Sequence, residues 1–403
     1  MSQGHVYDVC VVGAGLVGLA TARALVEDQP RLSVLVVDKE AAVASHQSSH
    51  NSGVVHSGLY YRPGSLKARL CVEGRDAVYR LCEQEGIPFR RSGKLVIATV
   101  PSHLPALDEL ERRGRANGLS GLRRLRGAEI AEFEPAATGI EALHVPEAGV
   151  ADFPAIAEHH VEWLRASGAE IRTGAEVTAI DAGGDLVSVQ AGETFSARLL
   201  VNCAGLHSDR VAVMAGVAPG VRIVPFRGEY YRLADEAAHL VKTLIYPVPD
   251  PRFPFLGVHF TRRIDDTVEV GPNAVLAFGR EHYRDTRADW AELRGILGHA
   301  GFRKLARRHW LSGARELVNS RSRRLYAGLA RKLVPGLRPE HLVPGGAGVR
   351  AQAVDTRGNL VDDFVIEHAR NTVHVLNAPS PGATASIAIG RYIADQLKAH
   401  LQR

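Results

Sequence analysis

The first forty residues constrain the fold of this chain more than any other segment. An apolar run over 7–12 predicts a buried strand, and the glycine-rich sequence GAGLVG follows it directly at 13–18. An apolar helical pattern then continues to Glu27, and a second predicted strand over 32–37 ends on Asp38. A strand, a glycine-rich turn, a helix and a strand with a terminal acid are the pattern of a βαβ unit that binds a dinucleotide.

The residues of this unit each have a physical role in such a site. Gly13 permits the tight turn, Gly15 lets the backbone approach a pyrophosphate, and Gly18 lets the helix pack closely on the strand. The helix N-terminus offers free N–H groups and a partial positive charge to the phosphates. Asp38 is placed to accept hydrogen bonds from an adenosine ribose.

Length and composition bound the remaining possibilities. The chain has 403 residues, which favours two interleaved domains over one simple core. Its net charge of +5 is too small to indicate nucleic acid as a partner. Four widely spaced cysteines form neither a disulfide framework nor a zinc motif, so we expect a reducing compartment and a cytoplasmic, not secreted, protein. No apolar stretch reaches the roughly 18 residues of a membrane span.

The order of predicted elements indicates an α/β fold with two domains. We place a discontinuous, Rossmann-like domain at 1–90, 142–222 and 341–403, and a second, substrate-binding domain at 91–141 and 223–340. Alternating strands with Pro and Gly turns in the second domain predict an antiparallel sheet, to which helices are added. A late strand that runs into a small-residue loop and a closing helix favours an enzyme that buries a whole FAD over an NAD-dependent dehydrogenase.

Several longer motifs carry a resemblance to a known family. They are HQSSHNSGVVHSGLYY at 46–61, PGSLKA at 63–68, PFRGEY at 225–230, PFLGVH at 254–259, GVRAQA at 348–353 and NAPSP at 377–381. In this order they resemble the L-2-hydroxyglutarate dehydrogenase branch of the FAD-dependent oxidoreductases, the family of D-amino-acid oxidase and glycerol-3-phosphate dehydrogenase. The resemblance implies FAD as cofactor, oxidation of L-2-hydroxyglutarate to 2-oxoglutarate, and quinone or oxygen as electron acceptor. Two departures are small, since Asp38 and Gly382 stand where relatives carry Glu and Ala.

Oxidation of a 2-hydroxy acid needs a base for the hydroxyl proton, and histidine suits that role. His56 lies in the loop after the first βαβ unit, and His259 ends an apolar segment of the second domain. We predict His259 as the base and His56 as a neighbour of the flavin, although a structural, hydrogen-bonded histidine remains the alternative for each. The spacing of the histidines is irregular and no clear carboxylate joins them, so we predict no metal site.

A dianionic substrate predicts arginine in the pocket, because a guanidinium fits a carboxylate. Arg350 and Arg227 lie in motifs of the resemblance, and Arg262 is a weaker candidate. Tyr60 and Tyr61 are candidates to donate hydrogen bonds to a carboxylate or, alternatively, to pack the pocket wall.

The motifs and the resemblance together predict the residues that contact FAD. Val177 belongs to this set by resemblance, at the start of a predicted strand over 176–181, with an ordinary strand valine as the alternative. The full set is Gly13, Gly15, Gly18, Asp38, Lys39, His50, Asn51, Ser52, Gly53, Val177, Ala204, Gly205, Val349, Pro381, Gly382 and Thr384.

A basic stretch at 303–332 leaves two interpretations open. It holds ten Lys or Arg side chains and one acid, with apolar residues between them. A solvated helical face and a peripheral dock on the cytoplasmic face of the inner membrane, where quinone is reached, are both consistent with it. For the chain as a whole, another flavoenzyme of the family and a non-catalytic nucleotide-binding protein remain the alternatives.

Overall fold

The computed structural model describes residues 5–249, 257–273, 275–283 and 289–401, with the side chains of 311–321 and 399 outside that description. The strands are β1 (Val6–Val12), β2 (Val34–Val37), β3 (Val54–Val55), β4 (Phe89–Arg90), β5 (Lys94–Ala98), β6 (Arg123–Arg126), β7 (Glu141–Val145), β8 (Gly149–Ala151), β9 (Glu170–Arg172), β10 (Ala179–Asp181), β11 (Val187–Ala191), β12 (Glu193–Asn202), β13 (Val221–Leu233), β14 (Leu244–Pro247), β15 (His259–Arg262), β16 (Val268–Gly271), β17 (Val275–Leu276), β18 (Leu342–Asp355), β19 (Val365–His368) and β20 (Thr372–Asn377). The helices are α1 (Leu16–Asp28), α2 (Leu66–Glu85), α3 (Leu104–Ala116), α4 (Glu129–Phe133), α5 (Phe153–Ala166), α6 (Ser208–Met214), α7 (Trp290–Gly298), α8 (Ala300–Arg321), α9 (Arg323–Ala330) and α10 (Gly382–Leu401).

A mixed sheet at one end of the molecule contains the predicted βαβ unit. Its path runs β10-β11-β12-β1-β2-β9, with β20 beside β12 and β19 beside β20. The pairs around β1 are parallel, as are β2–β9 and β12–β20, whereas β10, β11 and β12 form an antiparallel extension. β1 has almost no exposed side chains after its first residue, as expected of a parallel strand that is covered on both faces.

Close helix packing requires glycine at two positions, Gly18 in α1 and Gly390 in α10. A Cβ at Gly18 would lie 1.9 Å from the carbonyl oxygen of Gly13, so only glycine lets α1 begin against β1. A Cβ at Gly390 would lie 2.5 Å from the backbone of Ala20, which shows how closely α10 crosses α1. α1 and α10 therefore share one core with α2 and α5.

A second, largely antiparallel sheet follows the path β17-β13-β16-β15-β14-β5-β7-β6, with β18 paired along β13. Within this second sheet, β14–β5 is the only parallel pair among the described residues. This sheet confirms the antiparallel second sheet predicted from the sequence. A small third sheet, β3-β8-β4, joins the loop after the first βαβ unit to the second half of the fold.

Two details differ from the sequence prediction. The strand predicted over 176–181 is limited to Ala179–Asp181, and Val177 lies in the loop before it. β18 pairs with β13 in the second sheet, although the predicted boundary at residue 341 assigns it to the cofactor domain. The division into domains therefore stays a prediction. Separately, no helix within the described ranges combines the length and apolarity that a bilayer crossing requires.

Candidate cofactor and substrate site

A cavity of about 760 Å³ opens where the carboxyl ends of β1, β2, β12 and β20 meet. This position is expected for a nucleotide in an open α/β sheet, because parallel strands direct their following loops to one edge. Its wall combines residues from three distant parts of the chain. Of the predicted site residues, it contains Gly13, Gly15, Asp38, Lys39, His50, Asn51, Ser52, His56, Val177, Ala204, Gly205, Val349, Arg350, Pro381, Gly382 and Thr384.

The glycine-rich turn leaves room for a phosphate group against the backbone. Gly13 has φ +107° and a Cβ there would lie 2.5 Å from the Cys203 carbonyl oxygen, so a side chain is excluded. A Cβ at Gly15 would approach the Ser48 hydroxyl to 3.1 Å, and that hydroxyl already accepts a bond from Leu16 N. A glycine-rich turn without side chains at these positions fits the pyrophosphate of FAD.

Asp38 is held in place by the backbone around it. Its Oδ2 accepts a hydrogen bond from Ala14 N at 2.7 Å, and its Oδ1 accepts one from Glu40 N at 2.9 Å. Each carboxylate oxygen has a second lone pair. Both oxygens can therefore still accept hydrogen bonds from the ribose hydroxyls.

The last loop of the chain is tied to the loop of the first βαβ unit. Thr384, which is fully buried, accepts a bond from His56 N at 3.0 Å and donates to Val54 O at 3.2 Å. A Cβ at Gly348 would lie 2.8 Å from His50 O, so β18 also approaches this loop closely. These contacts bring together three of the segments in which the sequence predicts FAD contacts, namely 50–56, 348–349 and 381–384.

Charged side chains form a cluster at the rim of the cavity, which the sequence analysis did not predict. Lys39 Nζ lies 2.9 Å from Glu281, which also accepts from His207 at 2.6 Å. Glu40 lies 2.9 Å from His46. Hydrogen bonding to His207 and the charge of Lys39 lower the pKa of Glu281 to about 2. Two carboxylates therefore join the histidines, contrary to the sequence expectation, and the single ammonium of Lys39 contacts both of them.

Burial keeps the two candidate bases neutral. It lowers the pKa of both His56 and His259 to about 3, with nearby Lys94 and Arg350 as smaller causes. His259 Nδ1 lies 2.8 Å from the carbonyl oxygen of Gly257, and a carbonyl only accepts, so Nδ1 carries the proton. The Nε2 atom of His259 is thereby left as an acceptor, which is the form that a general base needs.

His56 and His259 occupy different positions relative to the cavity. His56 belongs to the wall, and its Nδ1 has no hydrogen-bond partner among the described residues. His259 lies beyond the wall, with its ring centroid 4.0 Å from that of Tyr246. Residues 254–256 of the motif before His259 lie outside the described residues.

The structure separates the three candidate arginines. Arg350 is part of the cavity wall and shares a hydrogen bond with the half-buried Tyr230. Arg227 donates to the His282 carbonyl oxygen at 2.7 Å and lies 3.3 Å from Glu229, at a neighbouring cavity of about 560 Å³. Arg262 is not brought to either cavity, because its guanidinium binds Asp266 and the carbonyl oxygens of two loop residues.

The remaining predicted residues lie just behind the wall. Gly18 and Gly53 support the loops, and Tyr61 packs under the ammonium of Lys67 at 4.9 Å. Tyr60 has its ring 4.4 Å from Lys94 Nζ. Lys94 is the residue that sequence reasoning missed, and its only signal was a lysine at the start of an otherwise apolar strand.

Comparisons with known proteins agree with this geometry. A family model described as FAD dependent oxidoreductase matches residues 8–396. The chain is 46% identical over 391 residues to the L-2-hydroxyglutarate dehydrogenase of Indibacter alkaliphilus, covering 96% of this chain and 98% of that protein. It is 41% identical to the mitochondrial L-2-hydroxyglutarate dehydrogenase of Homo sapiens, over 97% of this chain and 89% of that protein.

Solved structures of low identity share the fold. An FAD-bound L-α-glycerophosphate oxidase from Mycoplasma pneumoniae superposes with a TM-score of 0.79 at 23% identity, over 98% of this chain and 94% of that one. The glycine oxidase of Geobacillus kaustophilus gives a TM-score of 0.71 at 20% identity, over 98% and 95% of the two chains. With its glycine-rich turn, an acid at the end of β2 and a family match over almost its whole length, this chain belongs to the FAD-dependent oxidoreductase family and uses FAD as its cofactor.

Proposed function

We propose that this enzyme oxidises L-2-hydroxyglutarate to 2-oxoglutarate. The observation that carries the proposal is an identity of 41–46% across nearly the whole chain with relatives named for that dehydrogenase activity in bacteria and animals. The site adds the chemistry that a 2-hydroxy acid requires, since neutral His56 and Arg350 line the cavity and neutral His259 lies just behind its wall.

The chain's own residues then have the following proposed roles. His259 Nε2 accepts the proton of the substrate hydroxyl, because its Nδ1 is committed to the Gly257 carbonyl. His56 lies in the cavity wall and orients the reacting carbon, while Arg350 binds a substrate carboxylate. Bound FAD supplies the hydride acceptor at flavin N5.

The other predicted site residues fall into FAD contacts, substrate neighbours and one residue without a role in the site. We propose that the sixteen wall residues given above contact a bound ligand. His56 and Arg350 contact the substrate, and the other fourteen contact FAD. Arg227 and Tyr60 are proposed substrate neighbours. Arg262 is not proposed further, because its guanidinium is engaged elsewhere. The domain division at 1–90, 142–222 and 341–403 is likewise a proposal, with β18 shared between the two sheets.

We also propose where the electrons go and where the enzyme works. Quinone or oxygen is the proposed acceptor, and four free, buried cysteines support a reducing compartment such as the cytoplasm. The basic stretch at 303–332 is the proposed membrane contact, with Trp310 65% and Leu325 49% exposed. Binding of the holoenzyme to anionic liposomes at low salt supports this contact, and the absence of binding contradicts it.

Anaerobic mixing tests the proposed reaction directly. Purified holoenzyme is mixed with L-2-hydroxyglutarate, the D isomer, L-lactate or glycerol 3-phosphate while flavin absorbance is followed. We expect rapid bleaching by the L isomer of 2-hydroxyglutarate alone. Bleaching by glycerol 3-phosphate or L-lactate instead assigns the chain to another activity of the family, and a yellow protein that none of them bleaches contradicts the substrate.

A further inference from the structure

Lys94 is a buried lysine whose ammonium lies over two tyrosine rings and pairs with no carboxylate among the described residues. It is the first residue of β5 and is 1% exposed, and its Nζ has no hydrogen-bond partner among the described residues. Lys67, another buried lysine near the cavity, instead donates to the carbonyl and the carboxylate of Asp362 at 2.8 and 2.9 Å. Burying an ammonium without a partner is costly, so a site that keeps one invites an anionic ligand.

The surroundings of Lys94 place it beside the proposed catalytic histidines. Its Nζ lies 4.4 Å from the ring centroid of Tyr60 and 5.1 Å from that of Tyr246. Tyr246 in turn stacks on His259, and the charge of Lys94 acts on both His259 and His56. The Tyr60 hydroxyl and His56 Nδ1 also lack hydrogen-bond partners within the described part of the chain. The Lys94 ammonium, the Tyr60 hydroxyl and His56 Nδ1 are thus three neighbouring buried polar groups that are available to bind a ligand.

The proposed substrate has two carboxylates. The cavity wall contains two arginines, but Arg210 is paired with Glu292, which leaves Arg350 for the substrate. Arg350 lies on β18 in the cavity wall, and its proposed partner is the carboxylate next to the reacting carbon. We propose that the Lys94 ammonium, aided by the Tyr60 hydroxyl, binds the distal carboxylate and so selects a dicarboxylate over a 2-hydroxy monocarboxylate. This inference rests on the proposed function, which it deepens by naming the residue that determines specificity.

The groups that face Lys94 make its charge measurable through pH. Burial lowers the pKa of Lys94 to about 7. Burial also lowers the pKa values of His56 and His259 to about 3. It raises the pKa of Cys71 to about 12, and it raises the pKa values of Tyr60 and Tyr246. Among these groups only Lys94 changes charge near neutral pH. It is charged below its pKa, so affinity for a dicarboxylate falls as pH rises through that value.

Binding of unreactive analogues to the oxidised holoenzyme tests the proposal. Glutarate has two carboxylates and butyrate has one, and each is titrated while the flavin spectrum is followed. In Lys94→Met we expect the Kd for glutarate to rise by roughly 30- to 1,000-fold while the Kd for butyrate changes by less than about threefold. Lys94→Arg is expected to retain more of the glutarate affinity than Lys94→Met, and Lys398→Met, at an exposed surface lysine, to retain all of it.

The outcomes separate this inference from the proposed function. If Lys94→Met weakens both ligands equally, or neither, Lys94 does not bind the distal carboxylate. If L-2-hydroxyglutarate fails to bleach the wild-type flavin, the proposed function fails whatever the variants show. If Lys94→Met does not fold, the wild type still decides the matter, since its Kd for glutarate must rise between about pH 6 and about pH 9 and that for butyrate must not. A flat glutarate profile contradicts the proposal.

Discussion

At the scale of single residues, burial determines the chemistry that this site can perform. Desolvation by burial lowers the pKa values of the His56 and His259 imidazoles to about 3. Such a histidine is neutral throughout the physiological range and is available as a proton acceptor. The hydrogen bond from His259 Nδ1 to Gly257 O then decides which nitrogen accepts. Charge, tautomer and position are thus set together by the local environment.

The role of His259 as base predicts the effect of its replacement. In His259→Asn the amide still donates towards the Gly257 carbonyl, but no acceptor remains at the position of Nε2. We expect the rate of anaerobic flavin bleaching at saturating substrate to fall roughly 100- to 10,000-fold, with FAD content and glutarate affinity retained. His56→Asn is the matched variant and is expected to lose less. A larger loss in His56→Asn would assign the base to His56 instead.

At the scale of elements, the cofactor site depends on two helices that meet at a glycine. α1 begins at the glycine-rich turn and α10 begins at the small-residue loop, and both loops belong to the cavity wall. Gly390 of α10 lies against the backbone of Ala20 in α1, where a Cβ would come within 2.5 Å. The distance between the helices therefore sets the width of the site between their first turns.

This contact predicts that Gly390→Ala both destabilises the protein and weakens its affinity for FAD. The added methyl group must push the helices apart, at a cost of about 1–3 kcal/mol in the free energy of unfolding. Gly328→Ala is the control, because Gly328 is helical and exposed with no atom near its Cβ position. There, helix propensity predicts a gain of up to about 1 kcal/mol. Urea unfolding and FAD titration of the apoprotein measure both effects, and equal stability of the two variants would contradict the packing argument.

At the scale of the whole molecule, buried neutral histidines link stability to pH. His160, His259 and His374 are at most 6% exposed, and burial lowers their pKa values to about 3, 3 and 4. The unfolded chain binds protons at these side chains at higher pH than the folded chain does. Stability is therefore complete above the unfolded pKa of about 6.5 and is lost as pH falls towards the folded values.

His160 offers a test of this linkage away from the cofactor. It lies on α5, against Arg23 of α1 at 3.3 Å, and its Nε2 has no partner within the described residues. Between about pH 7.5 and about pH 5 we expect His160→Leu to lose about 2 kcal/mol less unfolding free energy than the wild type. Denaturant unfolding at saturating FAD measures the difference. Parallel losses in both proteins would show that His160 does not contribute.

The local pattern of the sequence was sufficient for much of the fold. The first βαβ unit, the closing helix α10 and the antiparallel second sheet are confirmed, since each depends on periodicity within a few residues. The capping of α2 is equally local, since the Ser65 hydroxyl accepts from Ala68 N at its start and Gly86 adopts φ 68° at its end. The strand assigned around Val177 was wrong at its start, because only pairing with β11 determines where β10 begins.

What the sequence by itself determined about this protein is the dinucleotide cradle, because the turn glycines and Asp38 act within one contiguous unit. Only the tertiary structure decided that Lys94 is buried with no hydrogen-bond partner in the described part of the chain, that Arg262 is bound to Asp266, and that Lys39 joins Glu281. The physical reason is that a side chain's charge state and availability depend on groups brought to it from distant parts of the chain. The surroundings of a lysine or an arginine therefore decide whether it binds a ligand or a neighbouring side chain.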